Sequence, residues 1–481
     1  MMGGDVASNL AIAAPDPGAS SWELASLREA IKRKARASTG KYLVLSLPAP
    51  VLPLSTVFGL ARETPHFLWQ PSDHAPGVVG FGSVVSLSAQ GAERFERIKA
   101  EAEALWAGLD VLSLAPPLVP PRLFGGFSFE PGSASGAIWS AFGDAQFVLP
   151  RLRYCTAAGR AELSLALTRT EVLADCDPWL TQLLRLHETL ARLAADETAP
   201  HSVKAIAAIA EGSASSEAST PSAWETQIAD ILAAIRGNQC SKVVLARQQQ
   251  VTFEAPLSAV ATLASLQENV GAEATCFAFN FGEGTFIGAT PETLIHKHAL
   301  AVSSEALAGS VRADDTDGEQ ALLDSEKDQG EHRVVVQTIA DTLAPLCADL
   351  SFDETPKIRR LRHLLHLQTP ISGTLKTPLH VLDLVARLHP TPAVAGAPTS
   401  FAVRWIAEHE QAPRGWYASP IGWMDATGDG SFEVALRSGV LCGNRAFLYA
   451  GAGVVAGSDA QSEHLETEIK LASLRGALRT T

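Results

Sequence analysis

Near the C-terminus, AGAGVV (450–455) leads into SEHLETEIK (462–470). The first continues a strand-like run, AFLYAG, that ends in Gly451 and, two residues on, Gly453. Lacking a Cβ, these residues let a ligand or a second backbone come close. A short loop, GSDAQ, then opens a helix-like segment. On it Glu463, Glu466 and Lys470 stand at i, i+3 and i+7 and share one face. Adjacent carboxylates repel unless a cation lies between them, and a hard divalent cation such as Mg²⁺ takes oxygen ligands of this kind. The plainer alternative is a solvated helix end, where the dipole favours acids. Taken alone, the segment is better explained that way.

Other residues could carry chemistry, each with an ordinary alternative. Lys242 opens the strand KVVLAR. A desolvated lysine gives up its proton more easily, which suits a general base, whereas most lysines at strand starts stand in water. Glu292, in GATPETL, follows an apolar strand; after a proline it also fits the first turn of a helix. Glu331, in QGEHRVVVQTI, is expected at the start of a helix, where acids commonly decorate the dipole. Arg437, in VALRSG, is expected at a strand end, where its guanidinium could grip a carboxylate in a two-pronged fork. His363 and His366 stand three apart on an expected helix, as zinc ligands can, but no third His or Cys has fitting spacing. The run GAGVVAG follows a strand and precedes a helix, as a dinucleotide fingerprint does. Its last glycine comes one residue late, and Asp459, Glu463 and Glu466 would repel a pyrophosphate.

The elements that must position these groups do not alternate as a regular βαβ series. Strand pairs joined by Gly turns, such as ATCFAFNFGEGTFIGATP, imply antiparallel pairing. The expected class is α+β, with large antiparallel sheets flanked by helices. Residues 1–21 contain no Lys or Arg and read as a disordered tail rather than a signal peptide. Residues 22–196 form an N-terminal part. Residues 197–223, rich in Ser, Ala, Thr and Pro, read as a surface linker. Residues 224–478 form a C-terminal catalytic part, packed with the first as one domain.

Composition sets further bounds. With 481 residues, 46% hydrophobic, the chain is long enough to bury a sizeable core. The net charge of −14, without a basic run, argues against nucleic acid and anionic membranes as partners. No apolar stretch approaches the roughly 20 residues of a membrane span. Six scattered cysteines without a CxxC pair suit reduced thiols in the cytoplasm.

The joint order of the segments is more informative than any one of them. KVVLAR, GATPE, ALAGS, SEKDQGEH, HLQTPISGTL, LHPTPAVAG, GWYASPIGW, VALRS, AGAGVV and SEHLETEIK succeed one another over residues 242–470. This series resembles the chorismate-utilising enzymes: isochorismate synthase, salicylate synthase, anthranilate synthase component I and aminodeoxychorismate synthase. The N-terminal half adds a weaker likeness through GFGSVVSL, GAERF and FGGFSF.

The resemblance implies roles. Glu331 and Glu466, with Glu463 nearby through water, would hold one Mg²⁺ against the C1 carboxylate of chorismate. Arg437, Tyr417, Lys470 and the backbone of Gly451 and Gly453 would grip the substrate's carboxylates. Gly309 would lie against its ring, and His366 would line the site. Lys242 stands where anthranilate synthases carry Gln and resembles the base that activates water in the isochorismate and salicylate enzymes, with Glu292 as the acid. PISGT places Ser372 where aminodeoxychorismate synthases are read to carry a nucleophilic lysine. Ala393 stands where lyase members usually carry Thr. Together these imply an isochorismate synthase, an isomerase that adds water at C2 and releases the C4 hydroxyl. The alternative is a salicylate synthase, which also eliminates pyruvate. No glutamine amidotransferase subunit is expected, and a monomer is.

Overall fold

The computed structural model describes residues 23–61, 64–72, 75–113, 117–196, 212–217, 220–362 and 364–481. The expected tail, 1–21, lies outside the described residues. Among them, 21 strands join through hydrogen bonds into one continuous sheet, with twelve helices around it. Pairing is almost entirely antiparallel; Tyr42–Ala49 against Leu109–Ser113 is parallel. No helix among the described residues is long and apolar enough to cross a membrane.

Alternation along the strands builds a core on each face of the sheet. On the Arg445–Val455 strand, Phe447 and Tyr449 enter one core, while Ala446, Leu448 and Ala450 enter the other. Each core draws on both halves of the sequence. Val44, Phe67 and Trp69 pack in the same cluster as Val440 and Phe447, and Leu43 and Leu45 in the same cluster as Leu448 and Leu474.

Three expectations about local structure need correction. Within 197–223, Gly212–Glu217 is a strand paired with Lys242–Phe253, and the next helix, Pro221–Arg236, already starts inside the expected linker. Thr220 caps that helix by accepting the Ala223 N–H at 3.2 Å, which fixes where it begins. The rest of the segment, 197–211 and 218–219, lies outside the described residues. His366 is not on a helix but in the Leu364–Leu375 strand, and His363 lies outside the described residues. Glu331 does not begin its helix. Ser325 caps it by accepting the Asp328 N–H at 3.1 Å, so the helix runs Glu326–Leu343 and Glu331 sits in its second turn.

Three placements position the site. The Lys242–Phe253 strand runs antiparallel to Arg445–Val455, with Lys242 opposite Val455 and Val244 opposite Gly453. The Glu326–Leu343 helix packs on the Ala301–Arg312 strand, and the Ala460–Arg475 helix packs on Arg445–Val455. Both helices present acids to the same space.

Candidate active site

A cavity of about 890 Å³, measured to its open mouth, lies between these two helices and the sheet. Glu292, Gly309, Glu331, His366, Ala393, Tyr417, Arg437, Gly451, Gly453, Glu463, Glu466 and Lys470 all line it. Lys242 is buried immediately behind this lining, 1% exposed. Its Cε stands 3.0 Å from the place a Cβ on Gly453 would take. The wall that separates the lysine from the cavity is therefore a glycine backbone. The water-exposed strand-start alternative for this lysine does not hold.

The acid end rests on a bend. Glu292 lies between the strands Thr285–Thr290 and Thr293–His298, not in a helix. Its carbonyl accepts the Val434 N–H at 3.0 Å, which ties the bend to the neighbouring strand. Its carboxyl is 4% exposed by residue and is pushed up to about 8. Burial is the larger cause and the charge of Glu305 the next, against the opposing pull of Lys242 and Lys470. At neutral pH this carboxyl holds a proton.

The opposite end gathers charge in pairs. Lys242 Nζ lies 2.8 Å from Glu331 Oε1, close but without an aligned hydrogen bond. Lys327 Nζ donates to Glu463 at 2.9 Å, and Lys470 Nζ lies 2.5 Å from Glu466 while donating to the Gly451 carbonyl at 3.0 Å. Burial, then the neighbouring Glu466, pushes the Glu463 carboxyl up. Asp328, which the sequence reading missed, is pushed up by burial, with Glu331 and Glu466 adding to it.

Crowded oxygen donors of this kind fit a hard cation held by one or two carboxylates and water, and they do not fit zinc. Among the described residues, however, no three His, Cys, Asp or Glu side chains converge as a ready metal cage; each of the three acids has a lysine instead.

The side of the cavity that carries Arg437 is tightly held. Arg437 falls between the strands Gly430–Val434 and Ser438–Cys442, at a φ of 48°. Ala418, also in the lining, has a φ of 58°. Such left-handed backbone in non-glycine residues is strained and gathers at functional sites. Arg437 donates to His366 Nε2 at 3.2 Å, while His366 Nδ1 lies 3.0 Å from the Gly309 carbonyl. Nδ1 therefore carries the hydrogen and Nε2 accepts. Burial, with Arg437 adding, drops this imidazole to about 3, so it stays neutral and aims the guanidinium. Gly309 sits at a bulge between Ala308 and Ser310 with a φ of 73°; a Cβ there would come 3.1 Å from Asp328. Tyr417 is kept protonated by burial and stacks on Tyr449, ring centroids 5.2 Å apart.

Several lining residues escaped the sequence reading. Lys327 and Asp328 lie in SEKDQGEH, four and three residues before Glu331. Arg414 precedes GWYASP; it is spent on structure, donating to the carbonyls of Val394 and Val244 at 2.7 and 2.9 Å and forking Glu410. Ser372 must be corrected. It is exposed on the Leu364–Leu375 strand and does not line the cavity. The side chain beside Gly309 is Ala308, which offers no nucleophile.

A sheet of this extent around one acid-and-lysine cavity defines a class. The chain belongs to the chorismate binding enzyme family, which matches residues 28–479. It is 36% identical over 441 residues to the salicylate biosynthesis isochorismate synthase of Pseudomonas aeruginosa, covering 89% of this chain and 88% of the relative. It is 33% identical over 431 residues to the isochorismate synthase MenF of Bacillus subtilis, covering 86% and 87%. The solved menaquinone-specific isochorismate synthase of Escherichia coli superposes with a TM-score of 0.74 at 26% identity, covering 94% of this chain and 99% of that one. Anthranilate synthase component I of Streptococcus pneumoniae shares the fold, with a TM-score of 0.59 over 91% of this chain and 93% of that one at 19% identity.

Proposed function

We infer that the chain is an isochorismate synthase, an isomerase that interconverts chorismate and isochorismate. The observation that carries this reading is the pairing of a buried, proton-bearing Glu292 in the cavity lining with Lys242 buried directly behind the Gly453 backbone of the same lining. Moving a hydroxyl from C4 to C2 needs exactly two proton movements; one takes a proton from the incoming water, the other delivers one to the departing hydroxyl. Lys242 serves the first and Glu292 the second. Arg437, aimed by His366, and Lys470 hold the substrate's carboxylates. Holding the reactants in this geometry supplies part of the roughly 7–11 kcal/mol available from orientation.

Glu331, Glu463 and Glu466 would hold Mg²⁺, which when bound offsets the dianion's charge and orients the ring. Their lysine partners must then turn aside. Ala308 offers no nucleophile and Lys242 stands where ammonia-using relatives carry Gln, which supports action without an amidotransferase subunit; we take the working form to be a monomer. The six free thiols suit the cytoplasm.

Incubation of the purified protein with chorismate and Mg²⁺, followed by NMR and mass spectrometry, tests the reading. Isochorismate is the expected product. Stoichiometric pyruvate would favour the salicylate synthase alternative, against which Ala393 stands. An unchanged substrate pool would reject both.

A further inference from the structure

A carboxylate outside the cavity holds the bend on which Glu292 stands. Glu305 lies on the Ala301–Arg312 strand, and its Oε1 accepts the N–H of Thr293, the residue after Glu292, at 2.9 Å. Its Oε2 accepts from Arg359 at 3.2 Å and from Gln368 at 2.5 Å. These two partners come from the Lys357–Arg360 and Leu364–Leu375 strands, so with Thr293–His298 and its own strand four strands meet at this side chain. On its other side the bend is tied through the Glu292 carbonyl to Val434, and the Glu292 N–H lies 3.4 Å from Thr290 Oγ1. Those ties are neutral. Glu305 brings a charge.

We propose that Glu305 is a positioning residue: through Thr293 it sets the direction of the Glu292 carboxyl, and its charge, anchored by Arg359, keeps that carboxyl in the proton-bearing form. This rests on Glu292 being the general acid. Every element around the Glu292 carboxyl contributes to the balance. Lys242, on the Lys242–Phe253 strand, and Lys470, on the Ala460–Arg475 helix, favour the ionised form. Glu433, on the Gly430–Val434 strand, and Glu305 oppose it. Tyr417, in the turn before Pro420, is neutral, and Arg437 stands across the cavity. Glu305 is buried enough for its charge to be felt, with a side chain 10% exposed, and it is not among the residues that line the cavity.

The test uses two isosteric or partly exposed substitutions whose effects carry opposite signs. Glu305→Gln keeps an oxygen for the Thr293 N–H but removes the charge. Arg359→Gln keeps the Glu305 charge but removes its counter-ion. The probe is the infrared band of the protonated carboxyl that disappears in Glu292→Gln, titrated in the substrate-free enzyme. Glu305→Gln should move its midpoint down by roughly half to one pH unit, and Arg359→Gln should move it up. The alkaline limb of kcat should move with each.

Unchanged midpoints in both variants overturn the proposal. So does an equal loss of kcat at every pH without a midpoint shift, which would make Glu305 a brace and nothing more. Should Glu305→Gln not fold, Arg359→Gln decides alone, since its side chain is 21% exposed. Midpoints that move as expected in a protein that leaves chorismate untouched would reject the functional reading while keeping the action of Glu305 on Glu292.

Discussion

The two ends of the cavity treat carboxyl groups in opposite ways. Glu292 is buried, forms no ion pair among the described residues, and feels the loss of water and the charge of Glu305 as its two largest influences, both favouring the protonated form. Glu331, Glu463 and Glu466 each lie within 2.9 Å of a lysine. One fold thus keeps one acid neutral and three acids paired, within a single cavity. The lesson is that residue type alone does not set a role here. Under the proposed function, desolvation without a partner would make a proton donor, whereas crowding with exchangeable cations would make a place for a metal and an anionic substrate.

The largest effect should come from the charged end. Excess chelator should abolish turnover, added Mg²⁺ should restore it, and Glu466→Gln should raise the Mg²⁺ concentration needed for half activity. Full turnover in chelator would erase the proposed division, since the lysines alone would then suffice.

Substitution at the two proton-handling residues comes next. Lys242→Ala and Glu292→Gln should each lower kcat by at least ~10²-fold, with a smaller change in KM because, on the proposed roles, Arg437 and Lys470 would still grip the carboxylates. Steady-state kinetics separates the two parameters. A large KM effect with normal kcat would place these residues among the binding groups.

The glycine wall between the ends offers a finer cut. A Cβ on Gly453 would lie 2.5 Å from Glu331 Oε1 and 3.0 Å from Lys242 Cε, whereas one on Gly451 meets nothing nearer than 3.3 Å. Gly453→Ala should therefore lose roughly tenfold or more in kcat, and Gly451→Ala distinctly less, because small displacements of a catalytic group are costly. Equal losses would mean that the wall does not position Lys242.

The smallest effect is on stability. Glu292 holds its proton up to about 8 in the folded protein, against an ordinary 4.5. Between those values the folded chain binds a proton that the unfolded chain releases. Its contribution to stability is therefore full below about pH 4.5 and is lost as pH rises through about 8. Urea midpoints of the wild type should decline across this window more than those of Glu292→Gln, which has no such proton.

Much of the site was legible in the sequence because its residues sit in short segments whose order is fixed by the sheet. KVVLAR, GATPE and AGAGVV each mark a strand or strand end at the cavity. What was not legible lay in tertiary pairing. GSASSE has no β-branched or aromatic residue, so nothing local announces the Gly212–Glu217 strand; the adjacent Lys242–Phe253 strand supplies its partner. In HLLHLQTPISGTL the buried Leu367, Thr369 and Ile371 alternate with more exposed residues, yet the spacing of two histidines suggested a helix. Acids at 326, 328 and 331 all suit a helix start, and only the Ser325 cap fixes which of them lies in the first turn. The left-handed backbone of Arg437 has no sequence signature at all.

The central claim is that water adds at C2 while the C4 hydroxyl departs with the proton from Glu292. Chorismate turned over in ¹⁸O-labelled water, with the product quenched early and analysed by mass spectrometry and NMR, tests it most directly. The account predicts isochorismate carrying one ¹⁸O at C2, with loss of the original C4 oxygen to solvent. Product that retains the C4 oxygen of chorismate at C2 would contradict it, because the hydroxyl would then migrate within the molecule and neither Lys242 nor Glu292 would have its assigned proton to move.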